Sequence, residues 1–369
     1  RRQRQMCIRD SRWKQAASRW GSTTWPECAL SGRYNRAVRD ESDGAKLGVV
    51  IPAYRVTEQI LGVIAGVGPE VDVIYVVDDA CPDRSGDLVR NDCDDPRVKV
   101  LTRKTNGGVG AATKTGWRAA LEDGCDVVVK IDGDGQMDPS LIPRFVRPIR
   151  EGEADYTKGN RFFDPEGLGH MPRTRILGNA ALSFVSKASS GYWHTFDPTN
   201  GYVAIGETAL RLMPLDKIAD GYFFESDVLF RLGTVRAVVK DIPMEARYGD
   251  ERSSLSVGSI IVPFVWGHFK ALIKRIVYNH YLRGFSAASL QLLLAIPLLI
   301  FGFVYGATTW INGTAAGIPA TSGQVMIAAL PIIVGMQMLL AFFQFDVSST
   351  PTEPLGPDLD RRRPGPSEE

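Results

Sequence analysis

Apolar runs rich in β-branched side chains punctuate the chain from residue 47 onward, and helix-like segments separate them. Four runs predict strands and three intervening segments predict helices: strands at Leu47–Ile51, Val71–Val77, Val98–Leu101 and Val127–Ile131, helices at Thr57–Val67, Ser85–Asn91 and Gly110–Glu122. Because strands alternate with helices and each strand is a near-continuous apolar run, the pattern predicts a parallel α/β sheet covered on both faces.

The second half of this region has a more mixed pattern. It predicts short strands near Tyr202–Ile205 and Ala237–Ile242, and a helix over Gly221–Phe230. Residues 47–256 are therefore predicted to form one α/β domain.

The segment from Gly284 to Phe345 contains no Asp, Glu, Lys, Arg or His, which indicates a lipid environment and not water. The segments Phe285–Ile311 and Gln324–Phe345 each exceed the ~20 apolar residues that cross a bilayer core. They predict two transmembrane helices within residues 284–346. Core helices of a soluble protein are the alternative, but two uncharged helices of this length would be unusual there.

The segment 257–283, just before the apolar region, has amphipathic spacing. The apolar side chains on one predicted helical face are Ile261, Val265, Phe269, Leu272 and Ile276. Lys270 and Lys274 lie elsewhere on the helix, so the pattern predicts an amphipathic helix at the membrane interface. Packing of this helix against the preceding domain is the alternative.

The placement of basic residues predicts an orientation. They flank the two spans on one side: Lys270, Lys274, Arg275 and Arg283 before the first span, and Arg361, Arg362 and Arg363 after the second. The loop 312–323 between the spans carries no charge. Because Lys and Arg concentrate in cytoplasmic loops, the pattern predicts a two-span membrane protein with its α/β domain in the cytoplasm.

The two ends of the chain have biased compositions. Residues 1–46 are rich in Lys and Arg and are predicted to be a disordered extension, with a non-native origin left open. An arm that binds membrane or nucleic acid is the alternative. Residues 347–369 are rich in Pro, Ser and Thr and are predicted to be a disordered cytoplasmic tail.

Overall composition excludes several classes of protein. The chain has 43 Lys and Arg against 42 Asp and Glu, a net charge of +1 that offers no global field for nucleic acid. Its five cysteines and four histidines are scattered without CxxC or HxxxH spacing, so neither a disulfide framework nor a zinc site is predicted.

Candidate chemistry follows the predicted strands. The first is followed by Pro52-Ala53-Tyr54, the second by Asp78-Asp79, and the fourth by the segment Asp132–Gln136. Ligands of such sheets bind beyond the carboxyl ends of the strands, where these residues are expected to meet. Isolated aspartates after strands are commonly turn formers, but clusters at one edge are harder to explain that way.

The Asp132-x-Asp134 pair is suited to a metal-bound sugar diphosphate. Mg²⁺ and Mn²⁺ favour carboxylate, amide and phosphate oxygens in octahedral geometry, and Gln136 offers a further oxygen. Such a metal acts as a Lewis acid on the departing nucleotide. A polar turn with solvated aspartates is the alternative.

A set of motifs resembles one enzyme family in order and spacing. These are VVIPAYR (49–55), VVDDACPDRSGD (76–87), NGGVGAA (106–112), DVVVKIDGDGQMDP (126–139), DPTNGY (197–202), GYFFESD (221–227) and YGDERSSL (248–255). Residues 47 to about 256 resemble glycosyltransferase family 2, closest to the dolichol-phosphate mannose synthase-like, polyprenyl-phosphate glycosyltransferase branch.

The resemblance implies a GT-A (Rossmann-like) fold and an inverting enzyme that uses a nucleotide sugar. It assigns Pro52, Ala53, Tyr54 and Asp79 to the nucleotide, and we add Asp78 and Asp132 to that set. It assigns Asp132, Asp134 and Gln136 to the metal, Mg²⁺ or Mn²⁺, and to the diphosphate. It also places Arg161 and Arg175 near the donor and acceptor phosphates.

One corner of the motif departs from the family. The family often has Asn-Glu after Pro-x-Tyr, whereas this chain has Arg55-Val56. The Gly107-Gly108-Val109-Gly110 loop lacks the spacing of a phosphate-binding loop. Its glycines are expected to allow close backbone approach to the donor pocket, with a tight structural turn as the alternative.

The acceptor determines which catalytic groups are needed. A hydroxyl acceptor needs a general base, and Glu225 and Asp227 join Asp134 as catalytic candidates. An anionic polyprenyl phosphate instead needs basic residues, since Arg matches phosphate geometry. The candidates are Arg161, Arg173, Arg175, Arg247 and Arg252.

The leading hypothesis is transfer of a hexose from a UDP- or GDP-sugar to undecaprenyl or dolichyl phosphate at the cytoplasmic membrane face. Transfer to a glycolipid or polysaccharide hydroxyl and an inactive sugar-nucleotide-binding scaffold are the alternatives, and a homo-oligomer stays open. A nucleotidyltransferase would need a Gly-rich triphosphate loop near the first strand, which the sequence lacks there.

Overall fold

The computed structural model of the chain describes residues 45–163, 173–245 and 257–356. In this part of the chain seven strands form one sheet in the order β3-β2-β1-β4-β6-β5-β7. The strands are β1 Leu47–Ala53, β2 Val73–Asp78, β3 Val98–Thr102, β4 Val127–Lys130, β5 Tyr156–Asn160, β6 Val203–Gly206 and β7 Val239–Pro243. The parallel pairing predicted for β1 to β4 is confirmed.

The helices that cover the sheet and follow it are also given by the structure. They are α1 Ile60–Ala65, α2 Ser85–Asp92, α3 Val109–Glu122, α4 Ile142–Arg150, α5 Arg173–Ser190, α6 Glu207–Leu212, α7 Phe224–Val235, α8 Val257–Ile276, α9 Ala287–Ala316 and α10 Ser322–Ser348. Short 3₁₀ turns occupy Pro139–Leu141 and Leu215–Lys217, and a π-helix occupies Val277–Leu282.

Strand β1 lies at the centre of two hydrophobic cores. Val49 and Ile51 pack into the core formed with α1, α2 and α4, whereas Val50 packs into the core formed with α3, α6 and α7. Successive side chains of a strand point to opposite faces, so a strand covered on both sides must be apolar at every position. Helices on both faces were predicted from that property and are confirmed.

Two features of the second half differ from the parallel pattern of the first. Strand β6 runs antiparallel to both β4 and β5. Strand β5, with the sequence YTKGN, was not predicted, because its burial depends on polar partners. Lys158 in this strand is buried and donates to the carbonyl groups of Gly159 and Phe196 and to Asp241.

Helix α8 has an exposed apolar side and a buried side that carries polar groups. Val265 and Phe269, assigned to one apolar face, are exposed, whereas the polar His268 and Arg275 are buried. The buried face packs on α5 and α7, where His268 lies 2.8 Å from Ser189 Oγ. Ser189 pairs with His268 Nδ1 and Asp346 pairs with Arg275, and the apolar side is left outward, as expected of a helix at a membrane interface; the interfacial location itself stays a prediction.

Helices α9 and α10 are long and apolar enough to span a membrane. They have 30 and 27 residues, and only 28% and 11% of their most apolar windows is buried. They pack side by side where Gly302 meets Ile332 and Gly335 meets Leu299. Their exposure contrasts with that of soluble core helices, and their positions agree with the predicted spans.

The tail prediction is wrong for its first residues. Helix α10 continues to Ser348. Leu355 packs against the second core, and its N–H donates to Asp155 at 2.8 Å. The tail is ordered here because it satisfies a buried carboxylate and covers apolar surface. Residues 357–369, and residues 1–44 of the predicted extension 1–46, lie outside the described residues.

We expect the full chain to stay in the membrane pellet when membranes are extracted with alkaline carbonate. Two exposed apolar helices of this length are stable only in lipid, whereas peripheral contacts break at high pH. The measurement is the distribution of the chain between pellet and supernatant by immunoblot. Recovery of most of the chain in the supernatant would contradict the two-span description.

Candidate functional site

The carboxyl ends of β1, β2 and β4 meet at one edge of the sheet. Ala53 is aligned with Asp78, and Val50 is aligned with Lys130. The N–H of Asp79 donates to the carbonyl of Ala53 at 3.2 Å. The three strand-end segments predicted from sequence are therefore neighbours in space.

The centre of this edge is a buried lysine between two carboxylates. Lys130, the last residue of β4, has a side chain that is 1% exposed. Its ammonium nitrogen lies 2.8 Å from Asp132 Oδ1 and 3.5 Å from Glu225 Oε1. A Cβ added at Gly201 would lie 2.5 Å from this nitrogen, so a side chain there would displace the ion pair.

The pKa values of Lys130 and Glu225 depend on each other's charge and on the charge of Asp132. Burial lowers the pKa of Lys130, but Asp132 and Glu225 outweigh it and hold the pKa above its ordinary value. Burial raises the pKa of Glu225, although Lys130 opposes this. Sequence reasoning missed Lys130, although it interrupts an otherwise apolar strand and so signals a buried partner.

The Asp132–Gln136 loop has a tight, defined geometry. The N–H of Asp132 lies 3.3 Å from the sulfur of Met137, and the N–H of Gln136 donates to Asp134 Oδ1 at 3.0 Å. A Cβ at Gly133 would lie 3.1 Å from the carbonyl oxygen of Pro52. The loop therefore holds its two aspartates against the end of β1.

The donor chemistry of this loop fits a hard divalent cation. Asp132, Asp134 and Gln136 offer oxygen ligands, which Mg²⁺ and Mn²⁺ prefer. Within the described residues no group of three or more His, Cys, Asp or Glu forms a ready-made metal cage. Cations of this kind usually bind to one or two carboxylates and complete their shell with water and substrate phosphate.

Asp78 and Asp79 hold the loops beside the site. Asp78 accepts from the N–H groups of Cys81 and Gly86 at 2.8 and 2.9 Å. Asp79 accepts from the N–H of Gly108 at 2.7 Å and lies 2.9 Å from Arg103 Nε. Both carboxylates thus fix backbone at the site, and direct nucleotide contact by them stays a prediction.

The glycine loop matches the tight structural turn. Gly108 has φ of 89°, and a Cβ at Gly110 would lie 2.5 Å from the carbonyl oxygen of Ala219. The N–H of Gly110 donates to the carbonyl of Asp220 at 2.9 Å. Since this N–H at the start of α3 already has a protein acceptor, the loop is not a phosphate cradle.

The two candidate bases lie in different surroundings. Glu225 joins Lys130 in the centre, as described above. The carboxylate of Asp227 accepts from the N–H of Ala219 at 2.8 Å and lies 3.2 Å from Arg231. Asp227 therefore fixes the loop before α7, and the structure brings only Glu225 to Asp132.

Arg161 is held by a carboxylate that sequence reasoning did not single out. Its Nε and one terminal nitrogen each donate to Asp197 at 2.7 Å, in a bidentate pair. Burial would raise the pKa of Asp197, but Arg161 keeps it below its ordinary value. The signal was present in the DPTNGY motif, which begins with this aspartate.

The remaining predicted basic residues are less defined. Arg175 lies in the first turn of α5. Arg247 and Arg252 lie outside the described residues. Tyr54, which follows β1, is exposed, and the Arg55 guanidinium lies over its ring, 5.5 Å from the centroid.

We expect Lys130→Met to lower the free energy of unfolding by about 2 kcal/mol or more, because removing Lys130 leaves the largely buried Glu225 and the partly buried Asp132 without a counter-ion. Urea titration of the full chain in detergent, followed by tryptophan fluorescence, measures this. Lys99→Met is the control: Lys99 pairs with Asp123 but is 53% exposed, so its loss should cost under ~1 kcal/mol. Equal effects of the two variants would contradict the description of Lys130.

Comparison with known proteins gives matches over this domain. The family model described as "Glycosyl transferase family 2" matches residues 48–212. The undecaprenyl-phosphate mannosyltransferase of Micrococcus luteus is 35% identical over 228 residues, covering 59% of this chain and 92% of that protein.

Two further relatives are similar at lower identity. The UDP-N-acetylglucosamine–dolichyl-phosphate N-acetylglucosaminyltransferase of Methanococcus voltae is 28% identical, covering 54% of this chain and 85% of its own length. The polyprenol monophosphomannose synthase of Mycolicibacterium smegmatis is 29% identical, covering 53% of this chain and 75% of that protein. Among solved structures, glucosyl-3-phosphoglycerate synthase from Mycobacterium tuberculosis is 21% identical over 69% of this chain and 86% of that chain, with a TM-score of 0.47.

Proposed function

Because the chain belongs to glycosyltransferase family 2, we propose that it transfers a hexose from a nucleotide sugar to a polyprenyl phosphate, with inversion, at the cytoplasmic face of a membrane. The observation that carries this proposal is the pairing of two sites in one domain. An oxygen-rich loop suited to a metal diphosphate lies at the sheet edge, and a positioned arginine suited to a phosphate follows β5.

The fold supports the donor half of the reaction. Family membership and the seven-stranded mixed sheet confirm the predicted GT-A fold. Pro52, Ala53 and Tyr54 end β1 beside Asp79, where a nucleotide would lie across the carboxyl ends of the strands. Exposed Tyr54 offers a face for the base, and Asp79 keeps the glycine loop in place.

The leaving diphosphate must be neutralised before the nucleotide departs. Asp132, Asp134 and Gln136 would hold a divalent cation, Mg²⁺ or Mn²⁺, which when bound supplies Lewis-acid stabilisation of that diphosphate. Lys130 keeps Asp132 in place from the buried side. These residues are already fixed by the fold, so little reorganisation is needed when charge develops.

An anionic acceptor fits the groups on the other side of the site. A phosphate oxygen is itself a nucleophile near neutral pH, so it needs charge and placement more than a strong base. Arg161 offers a guanidinium whose direction is set by Asp197. The three relatives described above are all named for polyprenyl-type phosphate acceptors, which supports the same class of acceptor here.

Transfer to a hydroxyl of a glycolipid or polysaccharide is the second candidate. It is favoured by the position of Glu225, which lies near Asp132 with a pKa raised by burial. A base with a raised pKa accepts a proton more readily near neutral pH. Its ion pair with Lys130 opposes this use, so we place the phosphate acceptor first.

The chain is a membrane protein, and a cytoplasmic domain is the orientation we propose. Lys270, Lys274 and Arg283 lie near the start of α9, and nucleotide sugars are available in the cytoplasm. The apolar outward face of α8, with Trp266 and Phe269 exposed, would then lie at the same membrane surface. Oligomeric state stays a prediction.

Asp134→Ala should abolish transfer while preserving the fold, because Asp134 sits in a strand-end loop outside the apolar core and its proposed role is to hold the metal. Chelation of the wild type with EDTA should do the same, with activity restored by Mn²⁺ or Mg²⁺. Asp216→Ala, at a carboxylate that is 93% exposed, is the matched control and should remain near normal. Near-normal transfer by Asp134→Ala, or by the wild type in EDTA, would contradict the metal assignment.

Arg161→Ala should lower transfer to polyprenyl phosphate by at least ~10-fold, equal to ~1.4 kcal/mol of transition-state stabilisation. Asp197→Asn should have a smaller effect of the same kind, because Arg161 remains but loses its bidentate partner. Initial rates at several acceptor concentrations measure both. If Glu225→Gln is nearly inactive while Arg161→Ala is close to normal, the acceptor is a hydroxyl.

A further inference from the structure

Asp346 is the one charged residue of helices α9 and α10. It lies near the carboxyl end of α10 and is 2% exposed. A carboxylate at such a place is expensive unless other groups satisfy its charge, and such residues are usually functional. Attachment to a bilayer requires only apolar length, so anchoring alone does not explain an acidic residue here.

The partners of Asp346 come from different parts of the molecule. Arg275 at the end of α8 donates to both carboxylate oxygens, at 2.6 and 2.9 Å. Trp193, just after α5, donates its indole N–H at 3.0 Å, and His280 Nε2 lies at 3.1 Å. We call Asp346, Arg275, His280 and Trp193 the Asp346 cluster.

A π-helix places two of these groups together. Arg275 and His280 are five residues apart, which separates side chains by about 140° around an α-helix. Hydrogen bonds from residue i to i+5 in the π-helix Val277–Leu282 widen the turn and bring His280 back toward Arg275. Such local departures from α-helix are frequent at functional sites.

The cluster also contacts the catalytic domain. Arg275 Nε donates to the carbonyl of Ala188 in the last turn of α5 at 3.0 Å. The ring of Trp193 packs edge-on against Phe343 of α10, with centroids 4.7 Å apart. Beyond α10, Thr350 donates to the carbonyl of Gly191 at 3.2 Å. The end of α5 is therefore fixed to the end of α10.

Helix α5 connects this junction to the acceptor side of the site. It has 18 residues, about 27 Å of helix, with Arg175 in its first turn and Ala188 in its last. A shift or tilt at its end is thus carried to its start. The family model ends at residue 212, so Arg275, His280 and Asp346 lie beyond the residues that this model matches.

We propose that the Asp346 cluster is a positioning device that sets the active centre at a fixed height and tilt over the bilayer, so that a lipid-held phosphate reaches it. The proposal rests on the proposed function, since it concerns how a membrane-embedded acceptor is presented. A buried ion pair adds little net stability over apolar residues, but it selects one geometry. An acceptor with its chain in lipid meets the site at one height only, whereas a water-soluble acceptor diffuses in freely.

The test compares two acceptors with the full chain in phosphatidylcholine–phosphatidylglycerol vesicles. One is a long-chain polyprenyl phosphate in the bilayer, and the other is a short, water-soluble prenyl phosphate. The variants are Asp346→Asn, which leaves Arg275 without its counter-charge, and the milder Trp193→Phe, which removes one hydrogen bond and keeps an aromatic ring. Glu153→Gln is the matched control, since it neutralises a carboxylate of an exposed pair with Lys240.

Asp346→Asn should lower kcat/KM for the long-chain acceptor at least ~10-fold and change that for the short acceptor by less than ~2-fold. Trp193→Phe should shift the ratio of the two in the same direction by about 3-fold, and Glu153→Gln should leave it unchanged. Equal loss with both acceptors would show a merely structural role, and no change with either would show no role; both results overturn the proposal. Failure of the wild type with both acceptors would instead overturn the proposed function.

Discussion

The ammonium group of Lys130 lies between the carboxylates of Asp132 and Glu225, buried at the end of β4. Its neighbours are arranged around this charge. Gly201 leaves room for it, and the end of β4 presents it beneath the aspartate loop. An isolated ammonium could not remain charged in such a place, and the carboxylates would repel each other without it. The charge balance of the centre is therefore built in before any substrate binds.

A second constraint is that the chain must bind one substrate from water and another from lipid. The sheet binds a hydrophilic donor, while the proposed acceptor carries its tail in lipid. The described structure joins these by hydrogen bonds. Arg275 connects α8 to the end of α5 and to α10, Trp193 connects the end of α5 to α10, and Leu355 connects the tail to Asp155 just before β5. The membrane helices are thus packed against the catalytic domain, which is held on them in one orientation.

The sequence predicted the parts of the fold that follow from apolar periodicity. Strands β1 to β4 and the two long helices are visible because burial on both sides, or in lipid, demands apolar residues at every position. Strand β5 was not predicted because its buried residues include Lys158 and Thr157. Their burial depends on hydrogen-bond partners that are distant in sequence. The polar contacts of α8 could not be read from the sequence for the same reason, since the partners of His268 and Arg275 are Ser189 and Asp346, which are distant along the chain.

The site was predictable in its residues but less so in their connections. Strand-end position located Asp79, Asp132 and Asp134, because parallel strands bring their carboxyl ends to one edge. Pairings such as Arg161 with Asp197 depend on the 36-residue excursion between them and cannot be read from spacing. The separation of Glu225 from Asp227 depends on helix phase and on the fold of the loop at Ala219.

The most direct measurement is the chemical nature of the product. Purified full-length chain is incubated with radiolabelled UDP- and GDP-sugars, a divalent cation and polyprenyl phosphate, and the lipid is extracted and treated with dilute acid. We predict that label from at least one nucleotide sugar enters the lipid phase and is released rapidly, since a sugar-1-phosphate linkage hydrolyses much faster in acid than an ordinary glycoside. Absence of labelled lipid with every donor, or an acid-stable product, would contradict the account.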